Sequence, residues 1–556
     1  MNFLKFQNTR LIILSISIFT VIYVLNFYVC DDAFYSFRSI DNLLSGHYFS
    51  YNPNERVQAF TNPLWTIIVG LVKFILYGPG MDPDPYWLVT FWLSLLFCII
   101  SLLVILKMIE ISVDKATVKL IVCLTILILS KSFIDFTSSG LEYPISYLLI
   151  AVFYYFYYYK YDNKNFMMIL TIIFSLSFVN RIDSVILMFL PLLYVAWRNI
   201  KNYRFKKTII PIFFGLLPIL LWEIFSIIYY GFFLPNTYYA KLNIVASPIV
   251  WLTGVRYLLT ATLEDPVTMC IIVISIFSGL FNDFKYKIVS CSIVIALLYI
   301  VSSGGDFMGS RFFSLPFLVG FLLIVVTGFK KNYYWWTLLF IFICFQMLPH
   351  SAVNTTRAFF KPLDIERRSA LIRFINSNTN LALWTMNWDK NYYYYASTVR
   401  GRYVRAHAED ILPTTFRFPY QRFHSVDSRE ECFGLQKTSQ YVEIGMGGGL
   451  HAYCKGLDAE IVDQLALGDA LISRLPVADK NSFTPGHNAR ISPLGYRESL
   501  IANDALIEDP QINAYYKKLN LLTRSSSYFS LKRWEAIYYL NFIESKYDSN
   551  INHIYN

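Results

Sequence analysis

The sequence predicts a polytopic α-helical membrane protein that carries a hydrophilic C-terminal domain outside the cytoplasm. Three observations predict it. The chain is 55% hydrophobic and only 15% charged, whereas ordinary globular chains carry roughly a quarter charged residues. The apolar residues gather into runs of about 15 to 25, the length a helix needs to cross hydrocarbon. Those runs stop near residue 350. The chain therefore divides into a membrane domain over 1–349 and a soluble domain over 350–556.

Eleven runs qualify as spans: 10–29, 86–106, 117–131, 141–159, 166–180, 184–197, 208–230, 264–281, 286–301, 312–328 and 333–349. The first follows Lys5 and Arg10 and has the outline of a signal peptide. It is long and lacks a small-residue cleavage site, so it reads as an uncleaved span. A further apolar segment, Thr61 to Tyr77, is assigned by charge. With the N-terminus inside, the loops 1–9, 107–116, 160–165, 198–207, 282–285 and 329–332 face the cytoplasm. They hold Lys5, Lys107, Lys115, Lys160, Lys164, Arg198, Lys201, Arg204, Lys206, Lys207, Lys285, Lys330 and Lys331. The positive-inside rule expects this bias. If 61–77 also crossed, every later loop would change sides. That segment is therefore expected to lie along, or dip into, the outer leaflet, and the odd span count puts 350–556 outside. The net charge of +10 belongs largely to these loops. No basic stretch with interleaved aromatics marks a nucleic-acid surface.

In the soluble part, short apolar runs such as Leu381 to Trp384 and Tyr441 to Ile444 alternate with turn signals, which predicts an α/β or β-rich domain. Cys98, Cys123, Cys270, Cys291 and Cys344 lie in apolar runs and read as small buried hydrophobes. Cys432 and Cys454 are the only cysteines of the hydrophilic part, and export would permit a disulfide between them. Gly445-Met446-Gly447-Gly448-Gly449 lacks the Lys-Ser/Thr of a phosphate loop and reads as a turn between strands. No CxxC or HExxH spacing is present.

The predicted outer loops hold clusters that a simple spacer does not need. They are Asp31-Asp32-Ala33-Phe34, Ser138-Ser139-Gly140-Leu141-Glu142, Asn180-Arg181-Ile182-Asp183, Leu234-Pro235-Asn236-Thr237 through Lys241, and Gly304-Gly305-Asp306-Phe307-Met308 with Arg311. The runs flanking Arg181 and Asp183 are about 15 residues each, roughly 22 Å at 1.5 Å per residue. That is short of a hydrocarbon core of about 30 Å. The Arg181/Asp183 turn is therefore expected below the surface, lining a polar cavity or forming an ion pair that caps the hairpin. Adjacent carboxylates at Asp31 and Asp32 point in different directions. One can face a cavity while the other caps a helix starting at Ala33.

Asp31-Asp32-Ala33-Phe34 with Arg38, then Asn42 to His47, Asn52-Pro53-Asn54-Glu55-Arg56 and Phe60-Thr61-Asn62-Pro63 resemble the first outer loop of a bacterial GT-C glycosyltransferase. More narrowly, they resemble the mycobacterial terminal β-(1→2)-arabinofuranosyltransferase family. The later loops are similar too, as are Val462-Asp463, Leu467-Gly468-Asp469, Arg474-Leu475-Pro476, Gly486-His487 and Gly495-Tyr496, so the likeness runs from about residue 30 to 500. The chain departs from the family in having Arg181-Ile182-Asp183 where Arg-Pro-Asp or Arg-Pro-Glu is usual. The resemblance implies a polyprenyl-phosphate-linked donor, of arabinofuranose or another pentose or hexose, in the outer leaflet of a bacterial inner membrane. It implies a catalytic carboxylate at Asp31 or Asp32, a juxtamembrane helix after the first loop, and an exported domain that helps bind an envelope glycan acceptor.

The residue chemistry fits that class. Arg181, Lys241 and Arg311 are candidates for the donor phosphate, because guanidinium suits bidentate phosphate contact. Asp31 or Asp32 is the candidate base for the acceptor hydroxyl. Glu142, Asp183, Asn236, Asp306 and His47 are candidates for sugar and acceptor contacts. The sequence makes no cofactor certain. A divalent cation (Mg²⁺, Mn²⁺ or Ca²⁺) would find oxygen ligands in Asp32, Glu142 and Asp306, although no spacing demands one. The alternatives from other classes are a transporter or flippase of lipid-linked saccharide, and a non-catalytic envelope-assembly protein. No internal repeat of the transporter kind is present.

Overall fold

The computed structural model describes residues 9–79, 83–112, 116–159, 166–202, 205–241, 247–306, 308, 310–328, 441–445, 449–479 and 483–545. The expected span 333–349, the start of the soluble domain, and the Cys432–Cys454 bridge lie outside the described residues. The chain is mostly helical. Among the described residues three helices are long and apolar enough to cross a membrane: Pro85–Ser112, Ile182–Lys201 and Phe284–Ser302. The number rises to six if each of three bent helix pairs is one span. Shorter apolar helices cover Thr9–Val24, Pro63–Tyr77, Phe166–Asn180 and Arg311–Thr327.

The described residues of 1–28, 90–219 and 250–389 form one unit, and those of 29–89, 220–249 and 390–556 form a second. In the first unit the bends have local causes. Leu120–Leu129 and Lys131–Thr137 meet at 75°. Ser130 accepts from the Phe133 amide and caps the second piece. Its hydroxyl also meets the Thr268 hydroxyl at 2.6 Å. Buried Asp265 caps Pro266–Leu280 through the Thr268 amide and accepts the Ser132 amide at 2.7 Å. Broken helix ends inside an apolar bundle need such internal partners, because lipid offers none. Phe205–Gly215 stops just before Pro218, which cannot donate a backbone bond. Gly215 lets its helix approach Phe166–Asn180. A Cβ there would stand 2.5 Å from the Thr171 Cβ, and Ser175 donates to the Gly215 carbonyl at 2.7 Å. Small residues serve close helix contact in this way.

Two expectations about elements need correction. The arm after Arg181 is not short: a 3-10 turn, Ile182–Val185, runs directly into Ile186–Asn202. Its apolar stretch of 20 residues is long enough to cross, so length no longer forces that turn below a surface. Residues before 264 are also not loop. They form the helix Ser247–Glu264, whose Arg256 and small polar residues dilute its apolar signal. Of the cysteines expected to be buried, Cys98 and Cys123 are buried, Cys270 is half-buried and Cys291 is exposed.

The second unit begins with the helix Ala33–Leu44 and includes Pro63–Tyr77. Its later residues supply two parallel strands, β1 (Tyr441–Gly445) and β2 (Ala459–Asp463). A short helix, Gly449–Cys454, lies between them, so the glycine run leads from a strand into a helix and not directly into a second strand. Helices Tyr496–Ala502, Pro510–Thr523 and Leu531–Tyr538 follow.

Arg38 joins these pieces. It is fully buried and donates to four carbonyls: Tyr51 at 2.8 Å, Ala452 at 2.6 Å, Gly456 at 2.8 Å and Ala459 at 2.6 Å. Burial pulls its pKa down, so the four carbonyl dipoles are what keep a charge tolerable there. Replacing Arg38 by Ala is expected to destabilise this unit by about 3 kcal/mol or more, since the buried carbonyls lose their donor. Thermal unfolding of the detergent-solubilised protein measures it. A melting temperature unchanged in the variant would contradict the assignment.

Candidate functional site

In the second unit the chain turns at Cys30, whose carbonyl accepts the Ala33 amide at 3.2 Å, and the helix begins at Ala33 as expected. Asp32 occupies the cap position but its side chain makes no capping bond. Asp31 turns elsewhere: its Oδ2 accepts the Gly449 amide at 2.8 Å. Gly449 must be glycine, because a Cβ would lie 2.0 Å from the Asp31 carbonyl oxygen. Both aspartates are half-buried.

Next to them Tyr35 and Tyr51 stack with centroids 5.0 Å apart. Burial pushes both phenols up, and the carboxylates of Asp463 and Asp31 push both further, with Asp32 adding to the effect on Tyr35 and Arg38 opposing it at Tyr51. Both therefore remain protonated donors. The Tyr51 hydroxyl is buried and has no hydrogen-bond partner among the described residues. Asp463, at the end of β2, accepts the amides of Leu465 at 2.9 Å, Leu467 at 2.9 Å and Gly468 at 3.1 Å. Three carboxylates and two stacked phenols thus meet at the start of the first loop. Both rings are buried in a core with Ala59, Ala452, Ala459 and Ile461, and Arg38 stands 5.3 Å from the centre of the Tyr51 ring.

The other residues of this unit chosen from sequence sit as follows. Asn236 is buried, and its amide is used internally: it donates to the carbonyls of Ala466, Leu467 and Asp469 and accepts from Ser473 and Arg474. In this structure it holds the 466–474 turn. Lys241 ends the short helix Asn236–Lys241 and is exposed. His47 is half-buried, in the turn after Ala33–Leu44. Asn52 and Glu55 are scaffold too. Asn52 donates to Glu55 and to the Ile461 carbonyl, both at 3.0 Å.

In the first unit Arg181 donates to Glu142 at 2.6 Å and grips Asp183 through Nη2 at 2.8 Å and Nε at 2.6 Å. Its guanidinium lies over the Tyr143 ring at 4.8 Å and the Phe312 ring at 5.4 Å. Arg311 pairs with Asp306 through Nη2 at 2.9 Å and through Nε. It stands 5.3 Å from the same Phe312 ring. The structure therefore brings Glu142, Arg181, Asp183, Asp306 and Arg311 into one cluster. Three carboxylates face two guanidiniums, so two of the three cations expected for a phosphate, Arg181 and Arg311, are already paired. The ion-pair alternative for Arg181 and Asp183 is the one seen, with Glu142 added. Glu142 and Asp306 spend oxygens on arginine. Among the described residues no three His, Cys, Asp or Glu side chains gather as a metal ion would need. This donor set does not fit a divalent ion.

Sequence reasoning missed Asp41 and Lys73, which pair at 3.2 Å inside the second unit with both side chains buried. Tyr86 and Tyr453 donate to the two Asp41 oxygens at 2.6 and 2.7 Å. The available signal was a lysine inside the otherwise apolar Pro63–Tyr77. Tyr35 and Tyr51 carried no such signal in a chain of 42 tyrosines.

A second buried carboxylate group yields a pH prediction. Arg524 pairs with Glu460 and stands 3.9 Å from Glu55. Burial pushes Glu55 up to about 8, helped by Asp469 and Glu460 and opposed by Arg524. The folded state therefore holds a proton that the unfolded chain releases at ordinary glutamate pKa. This contribution to stability is present at low pH and is lost as pH rises toward 8. The melting temperature is expected to fall between pH 5 and pH 8, and Glu55→Gln is expected to flatten that fall. An equal slope in both proteins would refute the assignment.

No family model matches the chain, and no curated protein or solved structure matches it.

Proposed function

We propose that the protein is an integral membrane glycosyltransferase of GT-C type. In this reading it moves a sugar from a polyprenyl-phosphate donor to an envelope glycan acceptor at the outer face of a bacterial inner membrane. The observation that carries the reading is the group of Asp31, Asp32 and Asp463 around the stacked Tyr35 and Tyr51, at the start of the first loop. The Gly449 amide fixes the Asp31 rotamer, while Asp32 is not spent on capping its helix. One of this pair takes the proton of the acceptor hydroxyl as the new glycosidic bond forms and the lipid phosphate departs. The buried tyrosines and Asp463 pack behind that pair and hold its surroundings in place. The apolar helices supply the membrane setting that a lipid-borne donor requires.

The finer topology belongs to the same reading: eleven spans, an inside N-terminus, 61–77 at the outer leaflet and an exported C-terminal part. Lys73 buried on Asp41 supports a non-crossing 63–77 helix, because its charge is satisfied within the protein near one end of the helix.

Asp31→Asn and Asp32→Asn, made separately, test the chemistry. At least one is expected to lower transfer from a defined polyprenyl-phosphate sugar by about 100-fold or more, with protein level unchanged. Full activity in both variants would sink the assignment of the base. For topology, a periplasm-active reporter fused after residue 80 is expected to be active. A cytoplasmic signal there would overturn the eleven-span arrangement.

A further inference from the structure

The second unit holds two buried arginines, Arg56 and Arg533, exposed to 1% and 0%. Among the described residues neither pairs with a carboxylate. Arg56 Nη2 donates to two backbone carbonyls at the end of Pro510–Thr523, Leu522 at 2.8 Å and Ser525 at 2.6 Å. Arg533 donates to the carbonyls of Tyr528 at 3.1 Å and Tyr229 at 3.3 Å. Arg56 Nε and Nη1 and Arg533 Nε are buried with no hydrogen-bond partner.

The two guanidiniums are neighbours. Arg56 stands 4.7 Å and Arg533 5.6 Å from the centre of the same Tyr528 ring, and Arg56 is also 5.1 Å from the Tyr48 ring. Burial and then the charge of Arg56 pull Arg533 down to about 10. Both groups therefore stay cationic at neutral pH. Two like charges in a dry setting repel, and each carries a desolvation penalty when unpaired. An anion between them would relieve both penalties.

We propose that Arg56 and Arg533 form a binding site for a phosphate oxyanion. Unused N–H groups on two separate guanidinium planes match a tetrahedral oxyanion better than a planar carboxylate, which one guanidinium fork already satisfies. The surroundings suit a phosphate carried on a lipid. Phe529 and Leu531, on either side of the helix cap Ser530, are 74% and 75% exposed. Tyr229, which accepts from Arg533, ends an apolar helix. The site stands independently of the sugar-transfer reading, since it needs no reaction.

The test uses the full-length protein in nonionic detergent. Thermal unfolding is followed against inorganic phosphate, polyprenyl phosphate in micelles, neutral polyprenol, and sodium chloride at matched ionic strength. A saturable rise in melting temperature with a phosphate probe, absent with polyprenol and chloride, is expected. Arg56→Gln and Arg533→Gln should each weaken apparent affinity about tenfold or more, the loss of one charge-assisted contact. Arg56→Lys and Arg533→Lys keep the charge but lose the fork. They should weaken binding too, and they carry the test if the Gln variants do not fold. Binding of inorganic phosphate alone identifies a free-anion site. A response to polyprenyl phosphate only identifies a lipid headgroup site. No response to either phosphate probe, or binding undiminished in all variants, overturns the proposal.

Discussion

The second unit depends on the four carbonyls that converge on Arg38. Those carbonyls come from three stretches that share no backbone pairing with one another: the first loop, the end of the Gly449–Cys454 helix, and the first residue of β2. A guanidinium has five donors in a rigid plane and can serve several acceptors at once, which a lysine ammonium cannot do with the same geometry. Its position within the Ala33–Leu44 helix fixes that helix relative to the strands. The aspartate pair precedes the helix directly, so the same anchor sets where those carboxylates lie.

The two clusters use charge differently. Around Arg181 and Arg311 three carboxylates hold two guanidiniums, and Phe312 lies against both guanidiniums. Such a group holds helix ends together and orients backbone. Around Tyr35 and Tyr51 the acids are held by amides, and Arg38 stands 5.3 Å from the Tyr51 ring. Hydrogen bonds from amides hold a carboxylate without neutralising it, so its negative charge remains usable.

Local features were legible in the sequence and distant pairings were not. Phe166–Asn180 has the bounds its apolar run predicted, and Pro63–Tyr77 starts two residues inside its predicted segment, at a proline suited to a first helical turn. The helix start at Ala33 followed from the preceding aspartates. Ser247–Glu264 escaped because Gly254, Arg256 and several threonines break its apolar pattern. In the site, Asp31 and Asp32 were found by their position after the first span. Their partners were invisible: Gly449 and Asp463 lie more than four hundred residues away, and no periodicity links them. Arg181 was found, but Glu142, 39 positions earlier, turned a presumed phosphate ligand into a paired side chain. Asn236 was chosen for its place in a predicted outer-loop cluster; burial gave its amide to backbone carbonyls and to Ser473 and Arg474.

The contact between Asp31 and Gly449 has a consequence for how the molecule is made. The aspartate is synthesised early and its amide partner 418 positions later. Until that late segment has folded back, the carboxylate has no fixed rotamer and the tyrosine pair lacks Asp463 beside it. The nascent chain therefore carries the acid but not the site. Any truncated product ending before residue 449 would lack the amide that holds the Asp31 carboxylate.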